Sequence, residues 1–171
     1  QAMLDHVQFD GGIDIILEKK MPLSSGLGSS AASAVAASVA VNALLDNPLK
    51  NHELLPFILA AEKVVCGTAH ADNAAPSLLG GFVLVRSYSP LDVVSLAYPD
   101  DICCAVVHPD LKINTRTARK LIKPEIYLKD AITQWGNVAG LTSGLANSDY
   151  ELISRSLVDV VAEPVRSNLI P

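Results

Sequence analysis

The residues best suited to chemistry lie in one short stretch, "MPLSSGLGSSAASAVA" at positions 21–36. Gly26 and Gly28 allow the backbone to turn tightly and to approach a ligand closely. An alanine-rich segment that reads as a helix follows directly, and the first N–H groups of a helix have no partner within the helix. Those groups and the hydroxyls of Ser29 and Ser30 can bind phosphate oxygens. The stretch therefore predicts an anion site at a helix start, where a serine hydroxyl could also bind Mg²⁺.

Other glycine-rich loops compete with this interpretation. A P-loop needs a Lys–Ser/Thr pair after its last glycine, and this loop contains no lysine. Residues 26–31 match the dinucleotide-binding pattern G-x-G-x-x-A, with Asp46 twenty residues after Gly26. That acid should end a second strand, but the alanine-rich helix uses the residues between them and no strand fits. A flexible loop before a closely packed helix is the chemically silent alternative.

The surrounding sequence predicts the elements that would hold this loop. A short apolar strand is expected at 13–17, and a helix buried on most of its surface at 30–45. A second helix is expected at 51–66, with Asn51 as its N-cap and Gly67 just beyond its end. Further strands are predicted at 80–87, 93–99 and 102–109, and further helices at 115–123, 125–147 and 150–162. This mixed order indicates an α+β protein in two layers.

The composition excludes several classes of function. Half of the 171 residues are apolar, which suits one or two compact units. A net charge of −5 without a basic cluster argues against nucleic acid or an anionic membrane surface as the main partner. No apolar run approaches the roughly 18 residues that a membrane span requires. Because the chain opens without an initiator methionine, we expect it to be a piece of a longer protein.

The three cysteines indicate a reducing compartment. Cys103 and Cys104 are adjacent and Cys66 is distant, a spacing that suits neither a disulfide framework nor a metal site. We therefore expect buried free thiols in a cytoplasmic protein.

Four blocks of sequence together resemble the homoserine kinase family of the GHMP small-molecule kinases. "PLSSGLGSSAASAVAA" at 22–37 is similar to the superfamily motif P-x-x-x-G-L-G-S-S-A-A, and "AAEKVVCGTAHADNAAPSLLGGFVLV" at 60–85 is similar to the block that distinguishes this family. The later blocks are "INTRTARKLI" at 113–122 and "EPVRSNLIP" at 163–171. The resemblance implies a two-domain fold, with a ribosomal-protein-S5-type N-terminal domain in residues 1–98 and a ferredoxin-like C-terminal domain in residues 99–171, both partial.

The resemblance also implies an activity, which is ATP-dependent, Mg²⁺-assisted phosphorylation of the side-chain hydroxyl of L-homoserine. This reaction is a step of threonine biosynthesis, and the family tends to be homodimeric. The family's N-terminal segment and C-terminal glycine-rich loop have no counterpart here, so the piece alone is expected to be inactive. The residues implied to bind the ATP phosphates are Pro22, Leu23, Ser24, Ser25, Gly26, Leu27, Gly28, Ser29, Ser30, Ala31 and Ala32.

The same resemblance assigns Ser30 and Glu62 as the Mg²⁺ ligands. A hard cation that also binds phosphate oxygens needs few protein carboxylates, so one glutamate and one serine suffice. The plainer alternatives are a capping role for Ser30 and an exposed Glu62 paired with Lys63 or water.

The residues implied to contact homoserine are His70, Asp72, Asn73, Thr115, Arg119 and Arg166. We expect the first three to lie on a loop after Gly67. Several GHMP relatives carry an aspartate near the position of Asn73 as catalytic base, and an amide cannot accept a proton. The resemblance thus implies transfer by positioning and charge neutralisation, with Asn73 in the catalytic set.

The arginines are implied to bind the α-carboxylate of the substrate. Arg119 and Arg166 can each do so bidentately, and Arg116 is a rival for Arg119. Two other functions stay open, namely a GHMP kinase acting on mevalonate or a sugar, and a catalytically silent GHMP-fold binding protein. Asn73 and the arginines argue against the former, and the Ser30–Glu62 pair argues against the latter.

Overall fold

The computed structural model describes residues 1–22, 26–107, 118 and 121–169, and it forms two compact units, Gln1–Ser95 and Leu96–Pro171. The described residues are mostly helical and include one two-stranded sheet. This content confirms the predicted α+β class.

Four helices build most of the first unit: α1 (Ala2–His6), α2 (Ser29–Leu44), α3 (Asn51–Cys66) and α4 (Ala71–Leu79). Helix α2 packs against α3 and α4, and α3 packs against α4. The buried apolar side chains between them form one core, whose members are Met3, Ala31, Val35, Leu54, Leu55, Ile58, Leu59, Ala71, Ala74 and Ala75. The many alanines allow the three longer helices to approach closely.

Helix α2 begins and ends where the sequence predicts. Gly28 precedes it in the left-handed conformation, and Asp46 and Asn47 adopt positive φ just beyond its end. The prediction that α2 is buried on most of its surface is wrong, since Val39 and Leu44 are 40% and 66% exposed. The helix packs with one side only, because both of its helical neighbours lie against that side.

Helix α3 confirms the predicted span, but Lys50 and not Asn51 is its N-cap. The Lys50 N–H donates to the Glu53 carboxylate at 2.7 Å, so a side chain three residues further on caps the helix start. Pro56 lies inside the helix without ending it. Gly67 follows the helix with φ of 79°, as the sequence predicts.

Strands β1 (Phe82–Tyr88) and β2 (Leu91–Leu96) form a hairpin and confirm two of the predicted strands. The strand predicted at 13–17 is absent, and the described residues 102–107 of the other predicted strand are not a strand either. Ile16 and Val107 are 92% and 88% exposed. A strand needs a hydrogen-bonded neighbour, and no described segment pairs with these two.

The second unit contains α5 (Leu128–Asn147), α6 (Tyr150–Ser156) and α7 (Glu163–Arg166), followed by a 3₁₀ turn at Ser167–Leu169. Helix α5 begins three residues later than predicted and packs along α6. The helix predicted at 115–123 falls mostly outside the described residues. Within the described ranges, no helix has the length and apolar character needed to cross a membrane.

The cysteine prediction is half right. Cys103 and Cys104 are free thiols, but both are exposed, because the segment that carries them is not paired into a sheet. The side chain of Cys66 lies outside the described set.

Helix α6 ends six residues before the predicted position because Asp159 organises a turn. Its carboxylate accepts hydrogen bonds from the backbone N–H groups of Val161 at 2.8 Å, Ala162 at 2.9 Å and Glu163 at 3.2 Å. Burial acts to raise the pKa of Asp159, but these bonds and the charge of Arg166 outweigh it, so the pKa lies below its ordinary value.

Replacing Asp159 with asparagine should weaken the pH dependence of stability. The folded-state pKa lies below the unfolded value of about 3.9, so the ionised carboxylate stabilises the fold above that pH. The contribution is lost as the pH falls through the folded-state pKa. We expect Asp159→Asn to lower the free energy of unfolding at pH 7 by less than about 1 kcal/mol, because solvent screens this half-buried group. The difference in free energy of unfolding between wild type and Asp159→Asn should shrink below about pH 4.

Urea unfolding followed by the fluorescence of Trp135, the single tryptophan of the chain, reports on this unit. Asp100→Asn is the matched control, because Asp100 is an exposed aspartate of the same unit. An equal pH dependence of all three proteins would contradict the role of Asp159.

Candidate active site

The start of α2 has the backbone geometry that the glycine-rich loop predicts. Gly26 and Gly28 have φ of 77° and 70°, in the left-handed region that favours glycine. Gly28 is the last residue before the helix, and its carbonyl accepts a hydrogen bond from Ala32 at 2.9 Å. Of the other residues implied to bind phosphate, Pro22 and Leu27 are exposed and Ala31 is buried, whereas 23–25 lie outside the described residues.

Ser29 places a polar atom in the first turn of α2 that protein groups do not satisfy. Its side chain is buried, and its Oγ has no hydrogen-bond partner among the described residues. An unsatisfied buried hydroxyl costs about 1–3 kcal/mol. A ligand oxygen at the helix start would remove that cost, so the orphaned hydroxyl fits an anion site.

Glu62 on α3 is a buried carboxylate, with 2% of the residue exposed. The Ser30 hydroxyl donates to Glu62 Oε2 at 3.2 Å and thereby joins the first turn of α2 to α3. The alternative of an exposed glutamate is therefore wrong. Buried carboxylates are rare unless they are paired or bind a metal, and Glu62 is the charged side chain at the centre of this site.

His70 completes a short chain of polar contacts. Its Nδ1 lies 3.7 Å from Glu62 Oε2, and its Nε2 lies 3.0 Å from Thr68 Oγ1. The sequence analysis missed Thr68, because a threonine two residues before a histidine carries no distinctive signal. The loop between α3 and α4 brings the two side chains together.

Asp72 and Asn73 lie in the first turn of α4, which corrects the prediction of a loop after Gly67. The alanines of 71–75 favour a helix and bury its inner face. Asp72 is exposed, and Asn73 is half-buried against the glycine loop. A Cβ atom built on Gly28 would lie only 3.0 Å from Asn73 Oδ1, so the two residues are in direct contact.

The remaining predicted residues belong to the second unit. Arg166 is half-buried on α7, and its Nε donates to the Ala118 carbonyl at 3.4 Å. Thr115, Arg116 and Arg119 lie outside the described residues. The structure thus brings together Ser30, Glu62, His70 and Asn73 around the start of α2.

The side chains of Glu62 and Ser30 fit a cation that takes most of its ligands from phosphate and water. In the described part of the chain, no three His, Cys, Asp or Glu side chains cluster as a complete metal site. Mg²⁺ typically binds one or two carboxylates and keeps phosphate and water ligands. The buried Glu62 carboxylate beside the Ser30 hydroxyl supplies oxygen donors of this kind.

Comparisons with known proteins show which proteins the chain is similar to. Residues 1–81 match the family model described as "GHMP kinases N terminal domain". A homoserine kinase of Chlorobium phaeobacteroides strain BS1 is 54% identical over 165 residues, which are 96% of this chain and 52% of that protein. A homoserine kinase of Methanococcus maripaludis strain S2 is 38% identical over 171 residues, with 99% of this chain and 56% of that protein covered.

A solved structure gives the same result. The crystal structure of homoserine kinase from Cytophaga hutchinsonii superposes with a TM-score of 0.94 at 49% identity, covering 99% of this chain and 54% of that one. The chain spans about half the length of the curated relatives it matches. The fold is that of the GHMP kinase superfamily, whose N-terminal domain model matches residues 1–81. Within it, the chain is a homologue of the homoserine kinases.

The contact between Gly28 and Asn73 predicts unequal effects of two alanine substitutions. Gly26→Ala and Gly28→Ala both place a Cβ on left-handed backbone, which costs about 1–2 kcal/mol. A Cβ at Gly26 would meet no atom of the described residues within 4 Å, whereas one at Gly28 presses on Asn73. We expect Gly28→Ala to lower the free energy of unfolding by about 1 kcal/mol more than Gly26→Ala does.

Urea unfolding followed by circular dichroism measures this difference. Asn73→Ala removes the obstacle, so the Gly28→Ala/Asn73→Ala double variant should be more stable than the sum of the single effects implies. Equal destabilisation by the two glycine substitutions would show that the Asn73 contact carries no energy.

Proposed function

We propose that the protein phosphorylates the side-chain hydroxyl of L-homoserine with ATP and forms O-phospho-L-homoserine. The observation that carries the proposal is the buried Glu62 carboxylate, hydrogen-bonded to Ser30 where the glycine-rich loop enters α2. A phosphate-binding helix start beside a carboxylate is the arrangement that phosphoryl transfer from a Mg²⁺-bound nucleotide requires. The homology to homoserine kinases supports L-homoserine as the acceptor.

Glu62 and Ser30 are the proposed Mg²⁺ ligands. When bound, Mg²⁺ would neutralise charge on the β- and γ-phosphates during transfer. The Ser30 hydroxyl donates a hydrogen bond to Glu62 Oε2, and a hydroxyl oxygen also carries lone pairs of the kind that bind a hard cation. The protein's own contribution is to hold the carboxylate and the hydroxyl in a fixed orientation in a buried setting.

The loop and first turn of α2 are proposed to hold the ATP phosphates. The left-handed backbone of Gly26 and Gly28 leads into the first N–H groups of α2, which have no partner within the helix. The helix dipole favours an anion there by about 0.3–1 kcal/mol. The unsatisfied Ser29 hydroxyl supports an oxygen ligand at this point. We extend the assignment to Pro22, Leu23, Ser24, Ser25, Leu27, Ala31 and Ala32.

The acceptor is proposed to bind next to this loop. His70 and Asn73 lie beside the Glu62 carboxylate and the Gly28 backbone respectively, and Asp72 is on the same first turn of α4. Because an amide takes no proton, Asn73 would orient the acceptor, and the transfer would proceed without a strong base. Thr115, Arg119 (or its neighbour Arg116) and Arg166 are proposed to bind the amino-acid part of the substrate.

We propose the pathway, the compartment, the oligomeric state and the domain division from the same homology. The reaction would serve threonine biosynthesis in the cytoplasm, and the enzyme would act as a homodimer. Residues 1–98 would belong to the ATP-binding N-terminal domain and residues 99–171 to the C-terminal domain. The division between the two compact units, at Ser95 and Leu96, supports a boundary in this region.

Acceptor-dependent release of ADP tests the proposal. We expect the protein at the full length of its relatives to release ADP from MgATP with L-homoserine and not with mevalonate or galactose. Turnover with mevalonate or galactose would refute the substrate assignment and the argument from Asn73. Nucleotide binding without turnover of any acceptor would indicate a silent binding protein.

Glu62→Gln should reduce kcat/KM for this reaction by at least about 10²-fold, because it removes a negatively charged metal ligand worth several kcal/mol in the transition state. The amide keeps the size of the side chain and its ability to accept the Ser30 hydrogen bond. Glu18→Gln is the matched control, since Glu18 is an exposed glutamate of the same unit. Steady-state kinetics at several Mg²⁺ concentrations measure the effect, and an active Glu62→Gln enzyme would remove Glu62 from the metal site.

A further inference from the structure

Thr68 occupies a position that none of the predicted roles explains. Its side chain is exposed on the loop between α3 and α4, yet its Oγ1 lies 3.0 Å from Nε2 of His70, whose other ring nitrogen faces the buried Glu62 carboxylate. We infer that Thr68 is a positioning residue that holds the His70 ring with Nδ1 towards Glu62, where the carboxylate favours the Nδ1–H tautomer. The consequence for catalysis rests on the proposed function, whereas the tautomer does not.

The chemistry of the imidazole ring carries the inference. A neutral imidazole has one N–H donor and one nitrogen that only accepts. An ionised carboxylate only accepts hydrogen bonds, so the nitrogen nearer to Glu62 Oε2 is favoured as the one that carries the proton. Nε2 is then the acceptor, and the Thr68 hydroxyl is the donor within reach. The hydroxyl could equally accept from a protonated Nε2, so the carboxylate favours the tautomer and Thr68 fixes the ring in the orientation that lets it do so.

The distances from His70 to Glu62 and to Thr68 show that the two residues contribute in different ways. The 3.7 Å between Nδ1 and Glu62 Oε2 is too long for a hydrogen bond and gives an electrostatic preference only. The 3.0 Å contact with Thr68 has hydrogen-bond length and fixes the orientation of the ring. Without the hydroxyl, the ring would lose the bond that keeps Nδ1 turned towards the carboxylate.

The orientation of His70 bears on the Glu62 carboxylate. The contacts of Ser30 and His70 with Glu62 are both recorded at Oε2. The Ser30 hydrogen bond and the weaker attraction of the His70 N–H act on the same oxygen, so both favour one rotation of the carboxylate. Mutation of a hydrogen-bond partner that orients a metal ligand commonly changes affinity or activity by about 10- to 100-fold. Thr68 acts on Glu62 only through His70, so we expect a smaller effect from its mutation.

The tautomer can be observed directly in the 171-residue chain without nucleotide or acceptor. Long-range ¹H–¹⁵N correlation spectra distinguish the imidazolium form from the two neutral tautomers by their nitrogen shifts. His70→Gln identifies the His70 signals among those of the four histidines. Spectra recorded at alkaline pH should show the Nδ1–H tautomer in wild type and in Thr68→Ser, and a shift towards the Nε2–H tautomer or a mixture in Thr68→Val.

Valine matches the shape of threonine without the hydroxyl, and Thr68→Ala is a second variant if valine is not accommodated. An Nε2–H tautomer in wild type overturns the inference, whichever variants fold. So does an unchanged Nδ1–H tautomer in both Thr68→Val and Thr68→Ala.

Kinetics of the protein at the full length of its relatives test the positioning role. We expect Thr68→Val to lower kcat/KM for L-homoserine by about 3- to 10-fold and to raise the Mg²⁺ concentration needed for half-maximal activity, with Thr68→Ser restoring both. Unchanged kinetics in Thr68→Val would overturn the positioning role. Wild type that turns over no homoserine would refute the proposed function, and the NMR result would still decide the tautomer.

Discussion

The hydrogen bond between Ser30 and the buried Glu62 carboxylate is the contact on which the geometry of the first unit depends. It joins residues 32 positions apart in the sequence and fixes the start of α2 against α3. A carboxylate that is 2% exposed cannot be left without partners, because an uncompensated buried charge costs far more than one hydrogen bond returns. The Glu62 carboxylate therefore has to lie where the apolar core of the first unit ends and polar side chains can contact it.

The other polar residues of the site are arranged around that contact. The loop after α3 returns His70 to the same carboxylate, and α4 begins immediately and brings Asn73 against Gly28. The end of α3 and the starts of α4 and α2 thus meet in one place, held by buried alanines of α2 and α4 that pack with buried leucines and Ile58 of α3. Side chains that are fixed by helix ends and a shared core keep their positions better than side chains on a free loop.

The parts of this arrangement that the sequence predicts are those with local causes. Helices α2 and α3 follow from their apolar patterns and from the glycines and turn residues at their ends, and the loop follows from its glycines and hydroxyls. The strands expected at 13–17 and 102–109 have the right composition, but strand formation depends on a distant partner that composition does not specify. The short α4 escaped prediction because its nine residues contain Pro76 and, in the first turn, Asp72 and Asn73, residue types that are common in turns. Thr68 became visible only through its contact with His70.

The close packing of Asn73 on Gly28 has a consequence for how this position can evolve. The Asn73 side chain occupies the space beside Gly28 that a Cβ at that glycine would need, so the side of position 73 that faces the loop is closely packed. Asparagine and aspartate have nearly the same volume and differ in whether they can take up a proton. A single exchange at this position can therefore change the acid–base character of the site while its shape is conserved. An aspartate at position 73 would then require no repacking of the surrounding helices.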